Sequence, residues 1–217
     1  MLFRSFKGKS PFGPYGDFVT QVDHAVGRVV DSLRRRGLLE NTLIIFTSDN
    51  GSPQFAGDGH MPNYIWRGRK SDIFEGGHRM PLIAHWPGHV RRGQTCDTPV
   101  TLGDLPATLA GIIGLPMPAA GFEDSVDASP LLLGRSGYPS DRAIVHHSAN
   151  GLFAVRQGDW KYIDGKGSGG WSKGGEDDPS PGQLYNLRED PVESINLYAQ
   201  YPEKVRAMQV LLRKIQK

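Results

Sequence analysis

A short apolar run, Thr42-Leu43-Ile44-Ile45-Phe46, gives way at once to Ser48-Asp49-Asn50-Gly51 and constrains this chain more than any other segment. It is β-branched and shows no polar–apolar alternation, a pattern that suits a strand covered on both faces, as in a parallel sheet. Residues 16–36 precede it and read as an amphipathic helix. Phe18, Val19, Val22, Val26, Val29, Val30 and Leu33 recur at three- and four-residue steps, Arg34–Arg36 occupy the last turn, and Gly37 can close it. Helix, short turn, buried strand and polar loop make an α/β arrangement, in which ligands gather beyond the carboxyl ends of the strands.

A second apolar run, Leu82-Ile83-Ala84-His85-Trp86, ends at Pro87-Gly88. Thr101-Leu102-Gly103-Asp104 has the form of a capping box and opens a helix through Leu105, Leu109, Ile112 and Ile113 to Gly114, with Pro106 in its first turn. Residues 115–122 are a linker by composition, and the texture then changes. Residues 143–147, 152–156 and 160–163 read as short strands, with Gly158-Asp159 as a hairpin turn. Residues 164–183, rich in Gly, Ser and Asp, read as a mobile loop, and a last helix spans about 201–216. Two parallel-type strands are too few for a doubly wound sheet. The expected fold class is therefore α/β, the second part of such a domain over 1–118, followed by a small α+β unit over 119–217 with an antiparallel sheet.

Charge and cysteine content narrow the function. Lys and Arg number 25 against 23 Asp and Glu, and no basic arm or aromatic-interleaved basic stripe is present, so nucleic acid is not an expected partner. No apolar run approaches membrane-spanning length. The single cysteine, Cys96, excludes an internal disulfide.

Two segments carry candidate chemistry. Asp49 and Asn50, side by side at a strand end, offer hard oxygen ligands suited to Ca²⁺ or Mg²⁺, although Asp-Asn-Gly is also a favoured plain turn. Lys70 stands in the Gly-rich stretch Gly68-Arg69-Lys70-Ser71, where an ammonium can meet an anionic ester or merely be solvated. His78, between glycines and an arginine, and His60, in Asp58-Gly59-His60, are candidate substrate contacts. His146 and His147 read as structural residues of a strand.

Taken together, these segments resemble the sulfatase family. The resemblance is carried by Tyr15-Gly16-Asp17, Leu38–Thr42, Ile45–Gly51, Arg67–Lys70, Glu75-Gly76-Gly77-His78-Arg79-Met80-Pro81, Trp86-Pro87-Gly88 and Asp104–Leu109. It continues through Trp160-Lys161, Leu184–Leu187, Asp190-Pro191 and Asn196-Leu197, in order along nearly the whole chain. It implies an alkaline-phosphatase-like α/β fold and hydrolysis of a small-molecule or carbohydrate sulfate ester. Asp49 and Asn50 would then be two ligands of a Ca²⁺ ion, and Lys70 would hold the sulfate group. It also implies a formylglycine nucleophile made from a Cys or Ser in a Cys/Ser-x-Pro/Ala-x-Arg motif. Thr95-Cys96-Asp97-Thr98-Pro99 lacks that pattern, so the nucleophile and remaining metal ligands are expected upstream of residue 1. On this expectation the chain is a C-terminal portion, inactive alone, or a fragment that needs a partner. A phosphatase or phosphodiesterase relative is the other reading, although two-zinc enzymes favour imidazole where Asn50 stands. Residence in the periplasm or outside the cell accompanies the family reading.

Overall fold

The computed structural model describes residues 4–53, 59–117 and 120–216. Helix α1 (Gly13–Arg35) leads through a tight turn to strand β1 (Ile44–Thr47), and a long loop then carries the one-turn helix α2 (Glu75–His78) to strand β2 (Leu82–His85). Helices α3 (Leu105–Ile113) and α4 (Ser129–Leu132) follow. Strands β3 (Ile144–His147), β4 (Phe153–Gln157), β5 (Trp160–Ile163) and β6 (Gln183–Asn186) precede the final helix α5 (Pro202–Ile215). The expected unit boundary falls on residues 118 and 119, which lie outside the described residues.

Local rules account for the helix ends. The Asp17 carboxylate, in the first turn of α1, accepts the Gly8 and Ser10 amides at 2.7 and 2.8 Å and is held below the usual carboxylate range by them. At α3 the expected capping box forms: the Asp104 carboxylate accepts the Thr101 amide at 2.7 Å, and Gly114, at φ +68°, closes the helix. Asp104 also accepts the Val126 amide and pairs with Arg142, which ties the start of α3 to the segments that follow it.

The four C-terminal strands form one antiparallel meander, β3-β4-β5-β6, and period-2 alternation gives it two buried faces. Ala154, Ile163 and Tyr185 pack on one face against Ile73, Phe74 and Leu187. Val155, Tyr162 and Leu184 pack on the other against Val205, Met208 and Leu212, the apolar stripe of α5. The sheet is thus clamped between α5 and the segment that immediately follows Lys70. This arrangement is what positions the candidate site.

Three expectations are corrected. Strand β1 pairs with β2 antiparallel, Ile44 opposite His85 and Thr47 opposite Leu82, rather than lying in a parallel sheet. An unbroken apolar run reports burial on two faces but carries no information about the direction of its partner. Every residue of β1 is half-buried rather than buried, and Ile83 of β2 is 58% exposed. Among the described residues the apolar face of α1 is partly covered, with Phe18, Val19 and Val29 exposed and Val22, Val26, Val30 and Leu33 half-buried. Finally, residues 164–183 are not a mobile loop throughout. Residues 168–172 are pinned to the Lys70 segment, and Gln183 already belongs to β6.

Candidate functional site

Asp49 and Asn50 lie in the turn that leaves β1. Glycine lets this turn press directly on its neighbours: the Gly51 amide donates to the Gly77 carbonyl at 2.9 Å, and a Cβ on Gly51 would stand 1.8 Å from the Gly76 carbonyl oxygen. The Glu75-Gly76-Gly77 sequence is required for the same reason, since a Cβ on Gly76 would meet the Gly68 carbonyl at 2.4 Å. Asn63 fixes the exit of the turn, accepting the Ser52 amide at 2.8 Å and donating to the Ser52 and Gly68 carbonyls. The Lys70 amide donates to Ser52 O at 3.0 Å. The Asp49–Gly51 turn, the Lys70 loop and α2 therefore form one backbone-stitched unit.

Within it, Asn50 Oδ1 is buried and accepts no hydrogen bond, while the Asp49 carboxylate beside it is exposed. A buried amide oxygen without a donor costs roughly 1–3 kcal/mol, which a cation at that position would remove. The donor set fits a hard ion, although two oxygens fall short of the six to eight that Ca²⁺ takes. No cluster of three or more His, Cys, Asp or Glu able to hold a metal exists among the described residues.

The far side of the Lys70 loop rests on Asp72, which is fully buried. Its carboxylate accepts the Arg69, Trp171 and Ser172 amides at 2.9, 2.7 and 2.9 Å and the Ser172 hydroxyl. Ser71, at φ +81°, directs its carbonyl to the Ala149 amide at 2.9 Å. The Lys70 loop is thereby held from both sides, by the Ser52 segment and by the C-terminal sheet's loops.

Beneath α2 runs a buried ionic network. The Lys161 ammonium, wholly inaccessible, contacts Ile73 O at 2.9 Å, Glu75 Oε1 at 3.1 Å and Glu193 Oε1 at 2.8 Å. Glu193 Oε2 in turn accepts the Glu75 amide, and Arg156 pairs with Glu75 at 3.3 Å. Burial raises both carboxyls, but Lys161, Arg156 and Arg79 outweigh it at Glu75, whose carboxyl is held below 4.5. At Glu193 burial prevails and the carboxyl rises. Sequence reading met Lys161 only as part of a family resemblance and missed Asp72 and Glu193 altogether.

The histidines fall in two places. His78 packs against His146 with the rings tilted by 56° and their centroids 4.3 Å apart, and each has a buried Nε2 without a partner. Burial, then Lys161, pushes His78 down to about 4 and His146 well below its ordinary value, so both are neutral at physiological pH. They line a groove of about 1510 Å³ together with Thr47, Glu75, Arg79 and Arg156, whereas Asp49, Asn50 and Lys70 do not line it. His60 packs against Phe12 and Tyr15 at 4.9 and 5.4 Å, and the Tyr15 hydroxyl meets Ser52 Oγ at 2.9 Å. Cys96 is exposed and unpaired. No helix among the described residues is long and apolar enough to cross a membrane.

The sulfatase family model matches residues 3–115, which hold the whole Asp49–Lys70 unit. The chain belongs to the sulfatase family. N-acetylgalactosamine-6-O-sulfatase of Bacteroides thetaiotaomicron is 34% identical over 97% of the chain, and human arylsulfatase A is 35% identical over 89%. The chain spans 43% and 41% of those relatives' lengths. Among solved structures, a B. thetaiotaomicron sulfatase from a locus for metabolism of multiple glycosaminoglycans superposes with a TM-score of 0.86 at 33% identity, over 98% of this chain and 46% of its own. A Pseudoalteromonas sulfatase gives 0.80 at 28%, over 97% and 44%. The fold is that of the alkaline-phosphatase-like sulfatases.

Proposed function

We propose that these residues form one side of a sulfate-ester hydrolysis centre, with Asp49 and Asn50 holding Ca²⁺ and Lys70 holding the sulfate group. The observation that carries this reading is the buried, unpartnered Asn50 Oδ1 in the same backbone-stitched unit as Lys70. A bound Ca²⁺ would supply positive charge to the sulfuryl oxygens. Lys70, a compact ammonium on a loop fixed by Ser52 and Asp72, adds a second charge without needing to reorganise as the reaction proceeds. Gly51, Gly76 and Gly77 keep the two charges at a set separation, because no side chain intervenes between their backbones. The nucleophile is contributed from outside these 217 residues, in which no Cys/Ser-x-Pro/Ala-x-Arg sequence occurs.

The substrate is a carbohydrate sulfate. Two structural relatives support this, one solved with a neocarrahexaose (25% identity, TM-score 0.72) and one with the sugar sulfate D-glucosamine-2-N,6-O-disulfate (25%, 0.68). The test is hydrolysis of a sulfate ester by the protein in which these residues reside. Lys70→Ala is expected to lower kcat/KM by roughly 10²–10³, about 3–4 kcal/mol, with the melting temperature unchanged. Asn50→Ala should raise the Ca²⁺ concentration needed for half-maximal rate. A Lys70→Ala enzyme as fast as its parent would reduce Lys70 to a solvated loop residue and remove the assignment.

A further inference from the structure

We infer that Trp171 is a stacking platform for the sugar ring whose sulfate group Lys70 holds, an inference that rests on the sulfate-ester reading above. Trp171 is 50% exposed on a loop that is otherwise tightly built. Its amide and that of Ser172 are fixed on Asp72 Oδ1, and Ser168 O accepts the Ile73 amide at 2.8 Å. Gly169 and Gly170 let this loop lie flat against the segment that bears Lys70. A Cβ on Gly170 would stand 2.3 Å from Ser71 O, and one on Gly169, at φ +59°, would stand 2.3 Å from Ser148 Oγ. On the other side the Arg69 guanidinium lies 5.5 Å over the indole and donates to Trp171 O at 3.4 Å. Arg69 and Asp72 thus flank Lys70 in sequence and contact Trp171 in space, so Trp171 and the backbone that bears Lys70 belong to one unit.

An indole fixed in this way, with half its surface open, presents an electron-rich face at little further cost in conformational entropy. The apolar C–H face of a pyranose suits it, because those hydrogens carry partial positive charge and the face needs no hydrogen-bond partner. The surroundings choose sugar over a steroid. Lys173, Glu176 and Asp177 follow on the same loop and are exposed, so the platform is continued by polar groups that can meet hydroxyls rather than by an apolar trough. A role confined to covering Arg69 would occupy one side of the ring and leave the open half unexplained.

The experiment measures binding by calorimetry to the protein in which these residues reside, in Ca²⁺, with inorganic sulfate and with N-acetylgalactosamine 6-sulfate as probes. The parent should prefer the sugar sulfate over inorganic sulfate. Trp171→Ala should reduce that preference roughly 10- to 50-fold, and Trp171→Phe should restore most of it, since a smaller aromatic face remains. Lys70→Ala should weaken both probes together. A parent without preference, or a Trp171→Ala variant with the parent's preference while Lys70→Ala loses both probes, overturns the platform and leaves the sulfate site standing. If Lys70→Ala binds both probes as the parent does, the sulfate site itself is wrong and the platform falls with it.

Discussion

Replacing Lys161 by Met preserves the length of the side chain and deletes its charge from a wholly buried position. The ammonium contacts Ile73 O, Glu75 Oε1 and Glu193 Oε1 at 2.9, 3.1 and 2.8 Å, so the variant leaves two carboxylates facing one another in the interior. Glu75 keeps Arg156 and Arg79, but Glu193 keeps only its bond from the Glu75 amide. Breaking a buried ion pair from one side costs about 3–5 kcal/mol. At roughly 2–4 °C per kcal/mol for a chain of this size, melting should fall by about 6–20 °C. The loss must also depend on pH. Burial already raises the Glu193 carboxyl above 4.5, and removing Lys161 raises it further. A group whose folded pKa exceeds its unfolded value favours the fold at low pH and loses that contribution as pH rises through the folded value. Lys161→Met should therefore be less destabilised at pH 5 than at pH 8, and adding Glu193→Gln should recover part of the loss. Melting followed by circular dichroism at both pH values decides it. A variant within about 2 °C of the parent, or one equally destabilised at both pH values, would refute the argument.

Two further outcomes follow from the same geometry. Gly51→Ala sets a Cβ 1.8 Å from a backbone oxygen that cannot rotate away and should cost roughly 2–4 kcal/mol; Gly27→Ala, where a Cβ meets nothing on α1, should add about 0.5–1 kcal/mol. Urea melts that ranked the two alike would count against the close-packed turn. His78, pushed down to about 4, contributes stability that is fully present above 6.5 and is lost as pH falls through about 4. Its ring signals should therefore hold still in an NMR titration from neutral pH down to about 5; an inflection near 6.5 would mean that the ring is solvated rather than packed on His146.

The helices α1, α3 and α5 and strands β1 to β5 were legible in the sequence to within a few residues, because each announces itself through local periodicity or a turn signal. The turn at Asp49–Gly51 and the glycine-rich loop of Lys70 were legible as separate segments, but not the backbone bonds through Ser52 and Asn63 that join them. What escaped has a common physical form. Glu75 with Lys161, and Asp72 with Trp171, are contacts across 86 and 99 residues, and nothing within a window of a dozen residues marks a charged side chain that will be buried. The direction of the β1–β2 pairing escaped for the same reason, as did β6, whose polar ends Gln183 and Asn186 hide its buried Leu184 and Tyr185.

These long contacts change what the site is. The Lys70 loop looks in sequence like a flexible connection between two strands. In space it is the layer between the Asp49–Gly51 turn and the C-terminal sheet: Ile73 and Phe74 fill one sheet face, Asp72 binds the 168–172 loop, and Lys161 reaches through from β5 to the Ile73 carbonyl. A loop lysine can stabilise charge in a transition state only if it need not be repositioned as that charge develops. The rigidity that the proposed role of Lys70 needs is therefore supplied by strands that lie beyond residue 140, and the C-terminal sheet is as much a part of the proposed sulfate site as the turn that bears Asp49 and Asn50.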